Sequence, residues 1–141
     1  MIDIESLVFD TVYNQLSVSH SGANITAGYD EKTAVYPNVV VREIGNVPYV
    51  SGNTDDCAEN YSRVTYEVEV ISNKAGSARS ECRTILADAD TIMQSMKFKR
   101  TYKSQAFNLD RSTFRQYARY EAIVGKPVTV DKNTVFQMYR R

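Results

Sequence analysis

Tryptophan is absent from this sequence, histidine occurs once and cysteine twice. A zinc site is not expected, because Cys57 and Cys82 lack CxxC spacing and His20 is the single histidine. Two thiols also do not make a disulfide framework. His20 stands between serines after a predicted helix, where it is expected to complement the helix dipole and not to serve a nucleophile. The sequence therefore predicts no metal, no cofactor and no enzymatic activity.

Long apolar runs and glycine-rich loops are missing too. No stretch approaches the roughly 20 apolar residues that cross a bilayer. The start, Met1 to Glu5, has no basic region followed by an apolar stretch, which argues against a secretory signal. The six glycines are scattered and form no phosphate-binding loop. We expect no membrane association, and folding and assembly in a cytoplasm.

The charges that are present divide unevenly along the chain. Residues 1–96 carry 6 basic and 14 acidic residues, a net charge of −8, whereas residues 97–141 carry 11 and 3, a net charge of +8. Three interpretations stay open. The halves can favour head-to-tail association of copies, they can contact an anionic partner, or their charges can neutralise each other within one sheet.

The hydrophobic pattern predicts a single α+β domain over residues 1–141. Helices are predicted at 3–17, with Asp3 as N-cap, and at 76–96. Strands are predicted at 39–41, 61–71, 98–107 and 113–124, and a final one between 128 and 139. A long loop at 45–60, with a short strand around Tyr49 and Val50, and an extended C-terminal arm at 127–141 complete the prediction. The order favours a mostly antiparallel, four- to five-stranded sheet with two helices packed on one face.

Two features on the other face of that sheet invite functional interpretations. Glu67 and Glu69 share a strand face and in principle suit Mg²⁺ or acid–base chemistry, but flanking arginines and expected exposure favour a solvated surface. Basic and aromatic residues interleave over 97–119, a pattern that also suits single-stranded nucleic acid. The acidic remainder of the chain weakens that second interpretation.

The order of these signals resembles a known family. The segments that carry the resemblance are Tyr66-Glu67-Val68-Glu69-Val70, Ala78-Arg79-Ser80-Glu81, Ala87-Asp88-Ala89-Asp90, Met96-Lys97-Phe98-Lys99-Arg100, Asn108-Leu109-Asp110 and Phe114-Arg115-Gln116-Tyr117-Ala118-Arg119-Tyr120. Together with the N-terminal amphipathic helix, they are similar to the tail terminator (tail completion) proteins of long-tailed bacteriophages. The resemblance covers most of residues 3–124, and the order of elements carries it more than any one motif.

The resemblance implies a structural virion protein at the head-proximal end of the tail. Copies would form a hexameric ring that caps the tail tube, stops its polymerisation and joins it to a head-completion or neck protein. DNA would pass through the lumen without sequence recognition. The alternatives are another neck component (a head-closure or adaptor ring), a tail tube subunit and, further away, a nucleic-acid-binding module.

The sequence also proposes residues for contacts between chains. They are tyrosines, arginines and acidic residues expected on the open sheet face, in the long loop and at the C-terminus. The set is Tyr49, Asp55, Asp56, Glu67, Glu69, Arg115, Tyr117, Arg119, Arg140 and Arg141.

Overall fold

A computed structural model describes residues 1–28, 36–49, 61–105 and 113–125, and the backbone of three short strands that follow. The helices are α1 (Glu5–Ser19) and α2 (Ala78–Ser95). The strands are β1 (Asn24–Thr26), β2 (Asn38–Pro48), β3 (Tyr61–Ser72), β4 (Lys99–Gln105), β5 (Phe114–Gly125), β6 (Val128–Val130), β7 (Asn133–Val135) and β8 (Met138–Tyr139).

The main sheet has the strand order β1-β2-β3-β5-β4. Only β1 and β2 run parallel, and the other neighbours pair antiparallel. Helix α2 packs on β3 and β5, and α1 packs on α2 and β2, all on one face. The predicted α+β class, with a mostly antiparallel sheet and two helices on one face, is confirmed.

Alternation along the strands decides what lies under the helices. Val64, Tyr66, Val68 and Val70 of β3 are buried, and their register partners on β5 include Ala118, Tyr120 and Ala122. The helices meet them with Val8, Val12 and Leu16 from α1 and with Cys82, Ile85, Leu86, Ala89, Ile92 and Met93 from α2. The alternating apolar residues of the strands and the apolar stripes of the helices, both predicted from the sequence, therefore form one continuous core.

The start of α1 differs from the prediction in detail. The N-cap position is Ile4, which makes no side-chain capping hydrogen bond. Asp3, the predicted cap, still accepts a hydrogen bond from the backbone N–H of Glu5 at 3.0 Å. Its carboxylate thus satisfies one of the helix's otherwise unpaired donors from one residue further out.

The predicted loop at 45–60 was wrong for its first four residues, because β2 continues to Pro48. Gly45 follows a shift in register and lies opposite Thr65, so it marks a β-bulge and not a strand end. Pro48 is tolerated as the last residue of the strand. Tyr49 extends the contact, since its N–H donates to the carbonyl of Tyr61 at 2.9 Å. Residues 50–60 lie outside the described part of the chain.

The C-terminal segment returns to its own sheet. Strands β6 and β7 pair antiparallel with each other, and β8 pairs with β5 through Ile123↔Tyr139 and Val124↔Met138. The predicted final strand is thus three short ones.

Cys82 lies in the interface between α2 and the sheet. Its thiol is 3.3 Å from the carbonyl oxygen of Phe114 and 3.5 Å from that of Val70. Burial raises the pKa of this thiol to about 11, so it is a packing residue with little thiolate at neutral pH. Cys57 lies outside the described residues.

Candidate interaction face on the open side of the sheet

Both helices of the described residues lie on one side of the sheet, and we call the other side the open face. It is formed by every second residue of the strands, those whose neighbours point into the core. Its principal side chains are Val40 and Arg42 of β2, Arg63, Thr65, Glu67, Glu69 and Ile71 of β3, Tyr102 of β4, and Arg115, Tyr117, Arg119 and Glu121 of β5.

Glu67 lies at the centre of the open face between two arginines. The register places Arg42 and Arg119 opposite Glu67 on the two neighbouring strands. Arg42 Nη2 is 3.2 Å from Glu67 Oε1, and Arg119 Nε is 3.2 Å from Glu67 Oε2. Each carboxylate oxygen therefore has its own cationic donor, which offsets the cost of removing the charge from water.

Glu69 is held by Arg115 from a diagonal position. Arg115 pairs in register with Ile71, two residues beyond Glu69, and both its Nε and its Nη2 contact Glu69 Oε1. Diagonal neighbours of this kind are within reach of long side chains. The contact fixes the arginine stem across β3, where it covers the carboxylate.

The predicted exposure of Glu67 and Glu69 was wrong. Only 6 % of Glu67 and 3 % of Glu69 are exposed. Alternation correctly places both residues on the uncovered face, but long arginine side chains on the adjacent strands lie over them. The arginines themselves remain partly exposed, so the surface above Glu67 and Glu69 consists of arginine and not of carboxylate.

An aromatic group adjoins the arginines at the β4 side. The rings of Tyr102 and Tyr117 have their centroids 5.8 Å apart, and the guanidinium carbon of Arg119 is 5.5 Å from the Tyr117 ring centroid. Tyr102 is 50 % exposed. Tyrosine and arginine are the side chains most favoured in the centres of protein interfaces, because they offer contact area together with a polar group.

The ion pairs also bear on the uneven charge of the chain. Arg119–Glu67, Arg115–Glu69 and Arg100–Asp90 each join a basic residue of the second part to an acidic residue of the first. The first two are contacts that neutralisation within one sheet predicts, and the third joins β4 to helix α2. Among the three interpretations of the charge split, the described contacts favour this one.

Two carboxylates of α2, Asp88 and Asp90, are engaged in structural contacts as Glu67 and Glu69 are. Asp88 and Asp90 point to different partners: Asp88 contacts His20, whereas Asp90 accepts a hydrogen bond from the hydroxyl of Tyr120 at 2.8 Å and pairs with Arg100 at 3.1 Å. Within the described ranges, no group of three or more His, Cys, Asp and Glu side chains is placed to hold a metal ion.

His20 has a partner that its sequence neighbours do not indicate. Its Nε2 lies 2.6 Å from Asp88 Oδ2, so the pair ties the end of α1 to the middle of α2. Its Nδ1 makes no hydrogen bond within the described part of the chain. The expected role as a dipole complement alone is therefore too simple, because the histidine links two helices.

The structure brings together five of the ten residues proposed from the sequence, namely Glu67, Glu69, Arg115, Tyr117 and Arg119. Tyr49 lies apart from them, with the guanidinium of Arg63 5.4 Å from its ring centroid. Asp55, Asp56, Arg140 and Arg141 lie outside the described residues. Arg42 and Tyr102 were missed. Alternation after Val40 gives a signal for Arg42, but a bulge between Arg100 and Tyr102 breaks the corresponding signal on β4.

Comparison with known protein families finds none whose pattern matches this chain, and comparison with curated proteins finds no match either. Among the helices of the described ranges, neither is long and apolar enough to cross a membrane.

Proposed function

We propose that this chain is a structural protein of a long-tailed bacteriophage, the tail terminator. Copies form a hexameric ring on the finished tail tube, end its growth and present the surface to which a head-completion or neck protein binds. DNA passes through the ring without sequence recognition. The ring lies at the head-proximal end of the virion's tail.

One observation carries the proposal from the structural side: on the open face, which neither helix of the described residues covers, the side chains hold one another in place. Its arginines are fixed by buried carboxylates, and its tyrosines by each other and by Arg119. Side chains already held in place lose less conformational entropy on association, so such a face suits a permanent contact between chains.

The family resemblance supports the same proposal independently. It covers most of residues 3–124 and depends on the order of elements. The engaged carboxylates support a role in assembly over one in acid–base chemistry.

The proposal is tested by the length of tail tubes. Purified tube protein polymerises without a limit of its own, and we expect that adding this chain stops growth and gives tubes with a six-fold cap in electron micrographs. Tyr102→Ser is expected to weaken capping, because it removes the exposed part of the aromatic group. Tyr13→Ser is the matched control, since Tyr13 is similarly exposed, at 47 % against 50 %, but lies on α1.

Other outcomes would replace the proposal. Tubes of unchanged length with failed attachment to heads would indicate another neck ring. Unlimited polymerisation of the purified chain alone would indicate a tube subunit. Retention of single-stranded DNA that is lost with rising salt and in Lys99→Glu would indicate a nucleic-acid-binding module.

A further inference from the structure

The layer of helices does not extend over the whole sheet. Helix α2 covers β3 and β5 and touches β4 only lightly, so a groove remains between α2 and the inner side of β4. Two adjoining cavities of about 300 and 420 Å³ form it, and they share Ala87 and Lys103 as lining residues. Small side chains, Ala87 and Ala118, keep it open.

The described lining of the groove has more basic than acidic side chains, three against two. Neither Arg83 nor Lys103 forms an ion pair within the residues that the structure describes, and both are exposed. The acidic residues that line the groove are already engaged, Asp88 by His20 and Asp90 by Arg100. A ligand in the groove therefore meets two cations without ion-pair partners among the described residues, Arg83 and Lys103, and two carboxylates that already have partners.

Helix α1 carries a second, outward-facing stripe. Leu7, Asp10, Asn14 and Val18 follow one another at spacings of three and four, so they lie on one side of the helix. All four are exposed, Leu7 at 43 % and Val18 at 84 %. Asp10 has no ion-pair partner within the described ranges. We call these four residues the outer stripe.

We propose that the outer stripe of α1 in one copy of this chain docks into the groove between α2 and β4 of the next copy. Leu7 would pack over Ala87, and Asp10, one turn further along the helix, would pair with Lys103 and Arg83. An amphipathic helix in a groove is a common mode of recognition, with anchors at these spacings. The neighbour's helix would thereby complete the helix layer over β4.

A chain cannot fill its own groove in this way. Helix α1 lies against β2 and one flank of α2, whereas the groove lies on the side of α2 that borders β4. Strands β2 and β4 are separated by β3 and β5 in the sheet. The contact is thus head-to-tail between different surfaces, and repetition gives a closed ring or a filament. In this respect the inference deepens the proposed function and rests on it.

A charge exchange tests the contact. Asp10→Lys and Lys103→Glu each set like charges against each other, and we expect each to weaken self-association at least about tenfold in light scattering. A mixture of the two variant proteins is expected to associate again. In the mixture, the unchanged Asp10 of one variant meets the unchanged Lys103 of the other and forms the native pair. At the alternate contacts the two substituted positions meet, and their charges are opposite but reversed. The double variant is expected to recover association in part, because the pair with position 103 forms in reverse while Arg83 still faces a like charge.

Two controls separate this effect from general changes of charge or stability. Lys99→Glu has the same change of charge on the same strand, but Lys99 pairs in register with Glu121 of the open face. Gln15→Lys adds positive charge on α1 outside the outer stripe. Both controls are expected to associate as the native chain does, and thermal unfolding verifies that all variants are folded.

Three results would overturn the inference: a native chain that stays monomeric at millimolar concentration, association unaffected by Asp10→Lys, or a mixture that fails to recover association. The proposed function is judged separately by tube length. If the chain caps tubes but its self-association is unaffected by the charge substitutions, the inference is rejected and the proposed function stands. Head-to-tail association without effect on tubes would do the reverse.

Discussion

On the helix-covered face of the sheet, Tyr66 and Phe98 meet edge to face, with ring centroids 5.5 Å apart, among apolar side chains. On the open face, Glu67 lies between Arg42 and Arg119. Both faces bury their central residues, but the first removes apolar area from water, whereas the second replaces hydration by ion pairs. Since ion pairing largely offsets desolvation and no more, we expect the covered face to contribute most of the stability.

The largest expected effect is on the covered face. Phe98 is fully buried, so Phe98→Ala leaves a cavity, and we expect the free energy of unfolding to fall by about 3–5 kcal/mol in urea titrations. Tyr102→Ala, an aromatic residue that is half exposed on the open face, is the matched control and is expected to cost less than about 1.5 kcal/mol. Equal losses would contradict the contrast between the faces.

A smaller loss is expected from Glu67→Gln. The substitution leaves two arginines without their anion, but both are partly exposed and can be hydrated, so we expect about 1–3 kcal/mol. Glu121→Gln is the control. Its partner Arg63 is at 3.3 Å, and the carboxylate of this pair is 38 % exposed against 7 % for that of Glu67, so the expected cost is below about 1 kcal/mol. A smaller cost for Glu67→Gln than for the control would show that burial adds nothing to this pair.

Glu43 is a carboxylate on the helix-covered side of the sheet, opposite Tyr66. Burial, followed by the charges of Glu5 and Asp3, raises the pKa of Glu43 above its usual value of 4.5. A raised pKa in the folded state favours the protonated form, so this residue's contribution to stability is present in acid and is lost as the pH rises through the folded pKa.

Glu43→Gln removes that loss while keeping an oxygen that can accept from Asn46 and Tyr66. We expect the difference in melting temperature, variant minus native chain, to become more positive as the pH rises from about 4 to about 8. A constant difference between the two curves over this range would contradict a raised pKa.

The smallest expected effect is at the link between the helices. His20→Ala removes the contact with Asp88, whose side chain is 48 % exposed, and we expect a loss below about 1 kcal/mol. Ser21→Ala, a neighbouring exposed position, controls for changes in the turn. A loss as large as that of Phe98→Ala would place the link within the core.

The covered face was largely predictable from the sequence, and the open face was not. The spacing of the apolar residues predicts the burial of Val64, of Val68 and of the stripe of α2, and this spacing is a local property of the sequence. Burial of Glu67 depends on Arg42 and Arg119, which only the pairing of distant strands brings alongside. Alternation says which face a residue takes, but not whether a long side chain from another strand will cover it.

Strand β1 and the end of β2 could not be predicted from the sequence for a different reason. Strand β1 is three residues long, too short for a periodic signal. In β2, Gly45 and Pro48 have the composition of a turn, yet a bulge and a strand terminus accommodate them. Residue types that usually end a strand can lie within it when the neighbouring strand continues the ladder.

The adjacency of β3 and β5 has a consequence for the order in which the chain folds. Contacts across this pair join residues far apart in the sequence, 46 positions for Glu69 and Arg115 and 52 for Glu67 and Arg119. The β4–β5 pair and helix α2 can form earlier, since their contacts close shorter loops. The sheet's centre is thus its most non-local part, and we expect folding over milliseconds to seconds, limited by the meeting of β3 with β5.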